Sequence, residues 1–201
     1  MSERGMQGDA VISRCGRYRY RLRRWWSDGP TCLFIMLNPS TAGAERSDPT
    51  IRRCIGFAKR EGCGALSVVN VMAFRATSPA DLPEDTALAR GPRNAAHIRR
   101  AIGDADGPII AAWGAHPKAE QASDRVLRQV SRAGRRLFAL GLTMGGAPGH
   151  PLYIRADAQL VPMNHRPAPL GRPQRCIDPL APTSRYLAAD QGCELGRQPL
   201  S

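Results

Sequence analysis

Five consecutive apolar residues, Leu33-Phe34-Ile35-Met36-Leu37, run straight into Asn38-Pro39-Ser40-Thr41. A run with no polar face reads as a strand buried on both sides, the habit of parallel sheets covered by helices. Pro39 has no N–H to offer a ladder and cannot continue a central strand, so the strand stops and Asn38 is delivered to its C-terminal rim. In open α/β sheets that rim is where ligands bind. The plainer alternative is that Asn-Pro merely opens a turn.

The same pattern recurs along the chain. Residues 65–72 form a second apolar strand with Asn70 near its end. Residues 108–113 form a third, ending in Gly114-Ala115-His116-Pro117, and 136–141 a fourth. Between them, Asp48 and Pro49 are cap and first residue of a helix over 50–61 that buries Ile51, Cys54, Ile55 and Ala58 and stops at Gly62. Further helices are predicted from near Gly91-Pro92 to Ile102 and from about Ala119 to Ala133. Strands alternating with helices imply parallel pairing through right-handed crossovers. The expected fold is a three-layer α/β/α sandwich around a central, mainly parallel sheet of four to five strands.

Upstream, residues 11–26 read as one edge strand beside the 31–37 strand. Alternation there places Tyr18, Tyr20 and Leu22 inward and the intervening arginines outward. Residues 1–10 read as a loose N-terminus and 11–165 as a single domain. Residues 166–201, rich in Pro, Arg and polar side chains, read as an extended or disordered tail in which Tyr186 and Leu187 are the candidates for docking.

A formal charge of +12 comes mostly from arginine, and six arginines crowd into residues 14–24 without an acid among them. Guanidinium forks suit phosphate, so nucleic acid, DNA first, is the expected partner, held by Arg19, Arg21, Arg23 and Arg24. Simple solubility is the alternative. The six cysteines include no Cys-x-x-Cys pair and no histidine at zinc-site distance, which argues against a structural zinc or an iron–sulfur cluster. Cys32 and Cys54 read as small core residues. No metal and no cofactor are expected. Without an apolar leader or a long apolar stretch, the expectation is a cytoplasmic protein with no membrane partner, a monomer by default.

If the four strands are parallel, Asn38, Asn70, the Trp113–His116 turn and the loop leading to His150 open on one edge. Asn70 either ties neighbouring loops together or reads a base edge, since a carboxamide offers both a donor and an acceptor. His116 and His150 each precede proline and so sit in extended or turn backbone. Pro39, Ser40, Phe74 and Tyr153 flank these groups and complete the set expected to contact substrate. Trp25 and Trp26 read either as core or as stacking platforms. There is no glycine-rich phosphate loop, no Gly-x-Ser-x-Gly elbow and no His-Glu-x-x-His. Ser40 therefore lacks the setting of a hydrolase nucleophile, and Asp48 reads as a helix cap.

At residues 34–42, 48–54, 69–77, 111–114 and 150–153 the sequence resembles a bacterial and phage family known only as domain of unknown function 1643, in unbroken order over about residues 17–162. More distantly the layout resembles the uracil-DNA glycosylase superfamily, whose enzymes carry an Asp-Pro or Asn-Pro motif after the first strand, a base-reading Asn on a later strand and a His-Pro loop. Asn38-Pro39, Asn70 and His150-Pro151 occupy corresponding places. That resemblance implies catalytic roles for two residues, Asn38 positioning a water and neutral His150 donating to the base as the glycosidic bond breaks, with Asn70 pairing to the base edge. The chain departs from the pattern where Met36-Leu37 replaces the glycine before the catalytic pair and Leu152 replaces the serine after His-Pro. The expected function is binding of DNA or a nucleobase with base excision. The alternatives are a nucleic-acid-binding module without chemistry and an enzyme on a small nucleotide or nucleoside.

Overall fold

The computed structural model describes residues 5–40 and 48–163. The apolar run forms β3 (Thr31–Met36), and its neighbours on both sides are parallel: β4 (Ala65–Asn70) and β5 (Ile109–Ala111). Strand β6 (Leu137–Ala139) continues the parallel set beyond β5. Antiparallel strands close both edges: β1 (Gln7–Ile12) and β2 (Arg19–Trp25) outside β4, and the two-residue β7 (Val161–Pro162) outside β6. The sheet thus has seven strands in the order β1-β2-β4-β3-β5-β6-β7.

Chain direction explains the layers. The β3-to-β4 crossover moves one way across the sheet and carries α1 (Pro49–Arg60). The β4-to-β5 and β5-to-β6 crossovers move the other way and carry α3 (Asn94–Asp104) and α4 (Pro117–Arg132). If every crossover is right-handed, α1 must cover one face and α3 with α4 the other. The two cores follow that division. Cys32, Phe34, Met36, Leu66 and Val68 pack against Ile51, Cys54, Ile55 and Ala58 of α1. Leu33, Ile35, Val69, Ile109 and Ala111 pack against Ile98 and Ile102 of α3 and Val126 and Val130 of α4. Successive residues of β3 alternate between the two cores, so the strand is apolar throughout because both of its faces are covered.

Helix α1 begins where its sequence signals place it. Asp48 accepts a hydrogen bond from the Ile51 amide at 2.8 Å and Pro49 occupies the first turn, where its missing N–H costs nothing. Cys32 and Cys54 are core residues, as their neighbours predict.

Several expectations need correction. Residues 7–10 belong to β1 rather than to a loose terminus, and 11–26 is two strands joined by a turn. Strand β2 pairs with β4, because β3 already has a parallel partner on each side. A short helix α2 (Thr86–Arg90), capped by Asp85, precedes α3.

The arginines do not alternate outward either. Val11 opposes Arg21 but Ile12 opposes Arg19, so Tyr20 is an extra residue in a β-bulge. The bulge lets Tyr20 stack on His97 of α3, with ring centroids 4.6 Å apart, while Leu22 joins the core under α1. Arg19, Arg21 and Arg24 are buried and only Arg23 of the four is exposed. The tail expected over 166–201 lies outside the described residues. No described helix is long and apolar enough to cross a membrane.

Candidate functional site

The chain leaves β3 for β4 and then returns across β3 to β5, so the order reverses between β3 and β5. The crevice outside the C-terminal ends of these two strands is the switch point of the sheet. Asn38 follows β3 at this point and Gly114 follows β5. Gly114 has φ of +75°, a conformation glycine adopts without strain, and a Cβ built there would sit 3.9 Å from the Cβ of His150. The His150 segment therefore rests on the turn after β5.

Each polar group here is oriented by identifiable bonds. The Asn38 Nδ2 donates to the carbonyl of Ala76 at 2.9 Å and to that of Pro39 at 3.4 Å. Both partners are pure acceptors, so the amide nitrogen must face them and Oδ1 is left as the accepting end. Ser40 Oγ donates to Asp48 Oδ2 at 2.8 Å, while the other Asp48 oxygen caps α1. Asp48 thus ties the chain just after Asn38 to the start of the helix.

Asn70 ends β4 in register with Met36. Alternation from Leu66 and Val68 points its side chain to the α1 face. It is 3 % exposed, and its carboxamide makes no hydrogen bond to another described residue. Only its backbone carbonyl is engaged, accepting from Asn94 Nδ2 at 2.8 Å. Buried amides are nearly always paired, so an amide held open at a sheet's ligand edge marks a place for a partner.

His150 accepts a hydrogen bond at Nδ1 from the Leu152 amide at 3.4 Å, which puts the proton on Nε2. Burial holds its pKa below the ordinary imidazole value, against a weaker opposing pull from Asp48. At neutral pH it is an uncharged N–H donor. Its loop is clamped by α1: Arg53 donates to the carbonyls of Pro151 and Ile154, and Arg60 to that of Ala156 at 2.7 Å. The Tyr153 ring lies 5.6 Å from His150 and is 84 % exposed. Arg19 is buried on β2, where desolvation pushes its pKa down to about 10 and Asp48 pulls it back up, so it stays charged.

Ser40 and Asp48 are joined by a hydrogen bond, His150 lies close enough to Asp48 to feel its charge, and Asn38 and Asn70 stand at the ends of neighbouring strands on one edge of the sheet. Other candidates are turned into the fold or serve as caps. Trp113 is buried in the core under α3 and α4. His116 caps α4, its Nδ1 accepting from the Lys118 amide at 3.2 Å. Phe74 packs edge-on against Tyr18 at 5.8 Å. Pro39 is buried, its carbonyl accepting from the Ala76 amide as well.

Arg21, Arg23 and Arg24 are engaged in the fold, whereas Arg14 and Arg17 at the start of the run are exposed. Arg21 bonds Ser67 Oγ at 2.9 Å and Asp104 at 2.5 Å, Arg23 makes a two-point pair with Asp9, and Arg24 donates to the Arg23 carbonyl at 2.8 Å. Two contributors were missed in the sequence. Asp48 reads there as a cap alone, its second oxygen being invisible, and nothing in the sequence marks Arg53. Among the described residues no group of three or more His, Cys, Asp or Glu is placed to hold a metal ion.

The histidines set a pH dependence. His150 and His97 both lie below the ordinary value of 6.5, each chiefly through burial. Below that value the unfolded chain binds more protons than the folded one, so stability present above it is lost as pH falls. Urea midpoints should be lower at about pH 5.5 than at about pH 7.5, a range that leaves carboxylates ionised. A midpoint that rose on acidification would contradict the burial of these rings.

No curated protein sequence matches the chain. Residues 19–152, from the start of β2 to the loop after His150, match the protein family of unknown function DUF1643, and since that match takes in more than half of the sequence, the chain belongs to this family.

Proposed function

We propose that this protein binds a nucleobase in the crevice between the ends of β3 and β5 and hydrolyses the N-glycosidic bond of a modified or damaged nucleoside unit. The observation that carries this reading is Asn70: a carboxamide 3 % exposed, with one donor and one acceptor face and no hydrogen bond to another described residue, at the end of the strand beside the one that Asn38 follows. Such a group pairs with a base edge that presents the complementary acceptor and donor.

The remaining groups suit the chemistry. As the bond between C1′ and the base nitrogen breaks, positive charge grows on the sugar and negative charge on the departing base. Fixed dipoles can stabilise both without a strong nucleophile. Asn38 Oδ1 accepts a hydrogen bond from a water whose oxygen attacks C1′. The base leaves with the bonding electrons, and the neutral Nε2–H of His150 donates a hydrogen bond to its anionic oxygen. The water's proton ends on the departing base or in solvent.

The burial of Arg19, Arg21 and Arg24, and the pairing of Arg23 with Asp9, favour a second reading in which the substrate is a free nucleoside or nucleotide rather than a duplex. Side chains already spent within the fold are poor phosphate clamps.

One experiment tests both. Purified protein is incubated with nucleosides, nucleotides and single- and double-stranded oligonucleotides carrying uracil, hydroxymethyluracil, hypoxanthine or a mismatch, and released base and binding are scored. Base release is expected, reduced about 10²–10³-fold in Asn38→Ala with the fold intact. Activity on free nucleosides, unaffected by Arg23→Ala, would select the second reading. Salt-sensitive binding without release from any substrate would remove the chemistry and leave a binding module.

A further inference from the structure

Helices α3 and α4 lie side by side on the face of the sheet away from α1 and run in the same sense. Gln129 Nε2 donates to the Ala95 carbonyl at 3.3 Å near the start of α3, and Arg135, just past α4, donates to the carbonyls of Ala105 and Gly107 just past α3. Ile98 and Ile102 of α3 and Val126 and Val130 of α4 point into the core, so the opposite ridges of both helices face water. Those ridges are built of arginine and small residues. At about 100° per residue, Arg125, Arg128 and Arg132 fall within about 60° of arc and span about 10 Å along α4. All three are exposed. Arg125 and Arg132 stand a turn before and a turn after Gln129, on the side turned to α3, and the exposed Arg99 stands a turn beyond the Ala95 that Gln129 touches.

Little within the fold neutralises this charge. The sequence has four arginines and no acid from Thr86 to Gly103, and five arginines and no acid from Arg125 to Arg136. Among the described residues Arg93, Arg99, Arg125, Arg128 and Arg132 form no ion pair, and the exposed Asp124 pairs with none of them. Arg100 lies 3.9 Å from Asp104, which Arg21 already holds. Neighbouring groups register the field. His97 is held below its ordinary pKa first by burial and then by the positive charges of Arg93, Arg100 and Arg21. Arg90 is held down by burial and then by Arg125, with Asp85 opposing. Like charges crowded on one face repel each other, and a polyanion laid across them offsets that repulsion.

What the face lacks narrows the partner. Among the described residues neither helix exposes a large hydrophobic side chain, so there is no wedge to enter a membrane and no apolar anchor for a protein. Neither helix contains Phe, Tyr or Trp, so nothing there stacks on an unpaired base. Guanidinium groups on rigid helices, with the exposed Ala95, Ala96 and Gly103 leaving room for close approach, suit a row of phosphates. We propose that the outer face of α3 and α4 binds the phosphate backbone of a nucleic-acid duplex, without regard to its sequence, through Arg99, Arg125, Arg128 and Arg132. This surface is separate from the arginine run at residues 14–24. It is also independent of the reading given to Asn38, Asn70 and His150, which stand at the strand ends.

Fluorescence anisotropy on the full chain tests this with labelled DNA and RNA duplexes of about 20 base pairs and a single strand of the same length, and sedimentation with anionic phospholipid vesicles is run beside it. At least one duplex is expected to bind with Kd of about 10 μM or tighter at about 50 mM salt and to weaken roughly a hundredfold by about 200 mM, as four phosphate contacts require. The stronger duplex names the source. Arg125→Gln with Arg132→Gln should cost about tenfold or more at the lower salt and make the salt slope shallower by about 2. Arg14→Gln with Arg17→Gln removes the same formal charge and should stay within about twofold of wild type. All four positions are exposed, so both double variants should keep the wild-type melting temperature. Failure of both duplexes to bind at low salt would overturn the proposal, and so would affinity indifferent to salt. Equal losses in the two double variants would also overturn it, as would tighter binding of the single strand, or vesicles bound where no duplex is.

Discussion

Replacing Asn70 by leucine should weaken nucleobase binding while leaving the melting temperature within a few degrees of wild type. The carboxamide is buried at the end of β4 without a hydrogen bond to another described residue, beside Met36 and above the core under α1. The amide atoms keep some contact with solvent, so no unpaired-burial penalty is relieved, and a leucine of similar volume should change stability by less than about 1 kcal/mol. For a domain of this size each kcal/mol moves the melting temperature by about 2–4 °C. The backbone carbonyl that Asn94 engages is unaffected, so the strand end stays in place. A paired base edge is worth about 1–3 kcal/mol, so affinity should fall roughly 5–150-fold. Calorimetric melting with nucleobase titration checks both halves. A variant that melts lower and still binds would show that Asn70 is a structural residue and that base recognition lies elsewhere.

Phe34→Ala carries the largest expected loss of stability. Phe34 is fully buried in the middle of β3 and packs in the core formed with Cys54 and Ile55 of α1. Truncating a buried phenylalanine removes its transfer energy and leaves a void that the flanking strands cannot fill, at a cost of about 3–5 kcal/mol. Against a typical total of about 5–15 kcal/mol that is about a fifth of the whole at the least. The urea midpoint should fall with an unchanged slope. A loss below about 1 kcal/mol would mean that α1 collapses onto the gap and that the layer is looser than its packing implies.

The parallel centre of this fold was legible because β3, β4 and β5 are apolar on both faces and each stops at a punctuating residue or turn. Helix α1 was legible through Asp48 and Pro49. What escaped was whatever depends on one residue's shift. The bulge at Tyr20 moves Arg19 and Arg21 from their alternating positions, and alternation alone cannot reveal an extra residue. Strand β7 is two residues long and α2 five, each too short for a period to register.

Asn38, Asn70 and His150 could be placed on one rim from the sequence because parallel strands end on the same edge. Trp113 was misplaced because its position on the rim says nothing of which face it turns to. Parity with Ile109 and Ala111 sends it under α3 and α4.

The clamp that Arg53 and Arg60 place on residues 151–156 has an entropic side. That stretch has little regular structure, yet three of its carbonyls are bonded to a helix that is itself anchored in the core. The conformational freedom of the His150 loop is therefore surrendered when the chain folds. A molecule arriving at the switch point meets a histidine already in place, and little of its binding energy is diverted into ordering that loop.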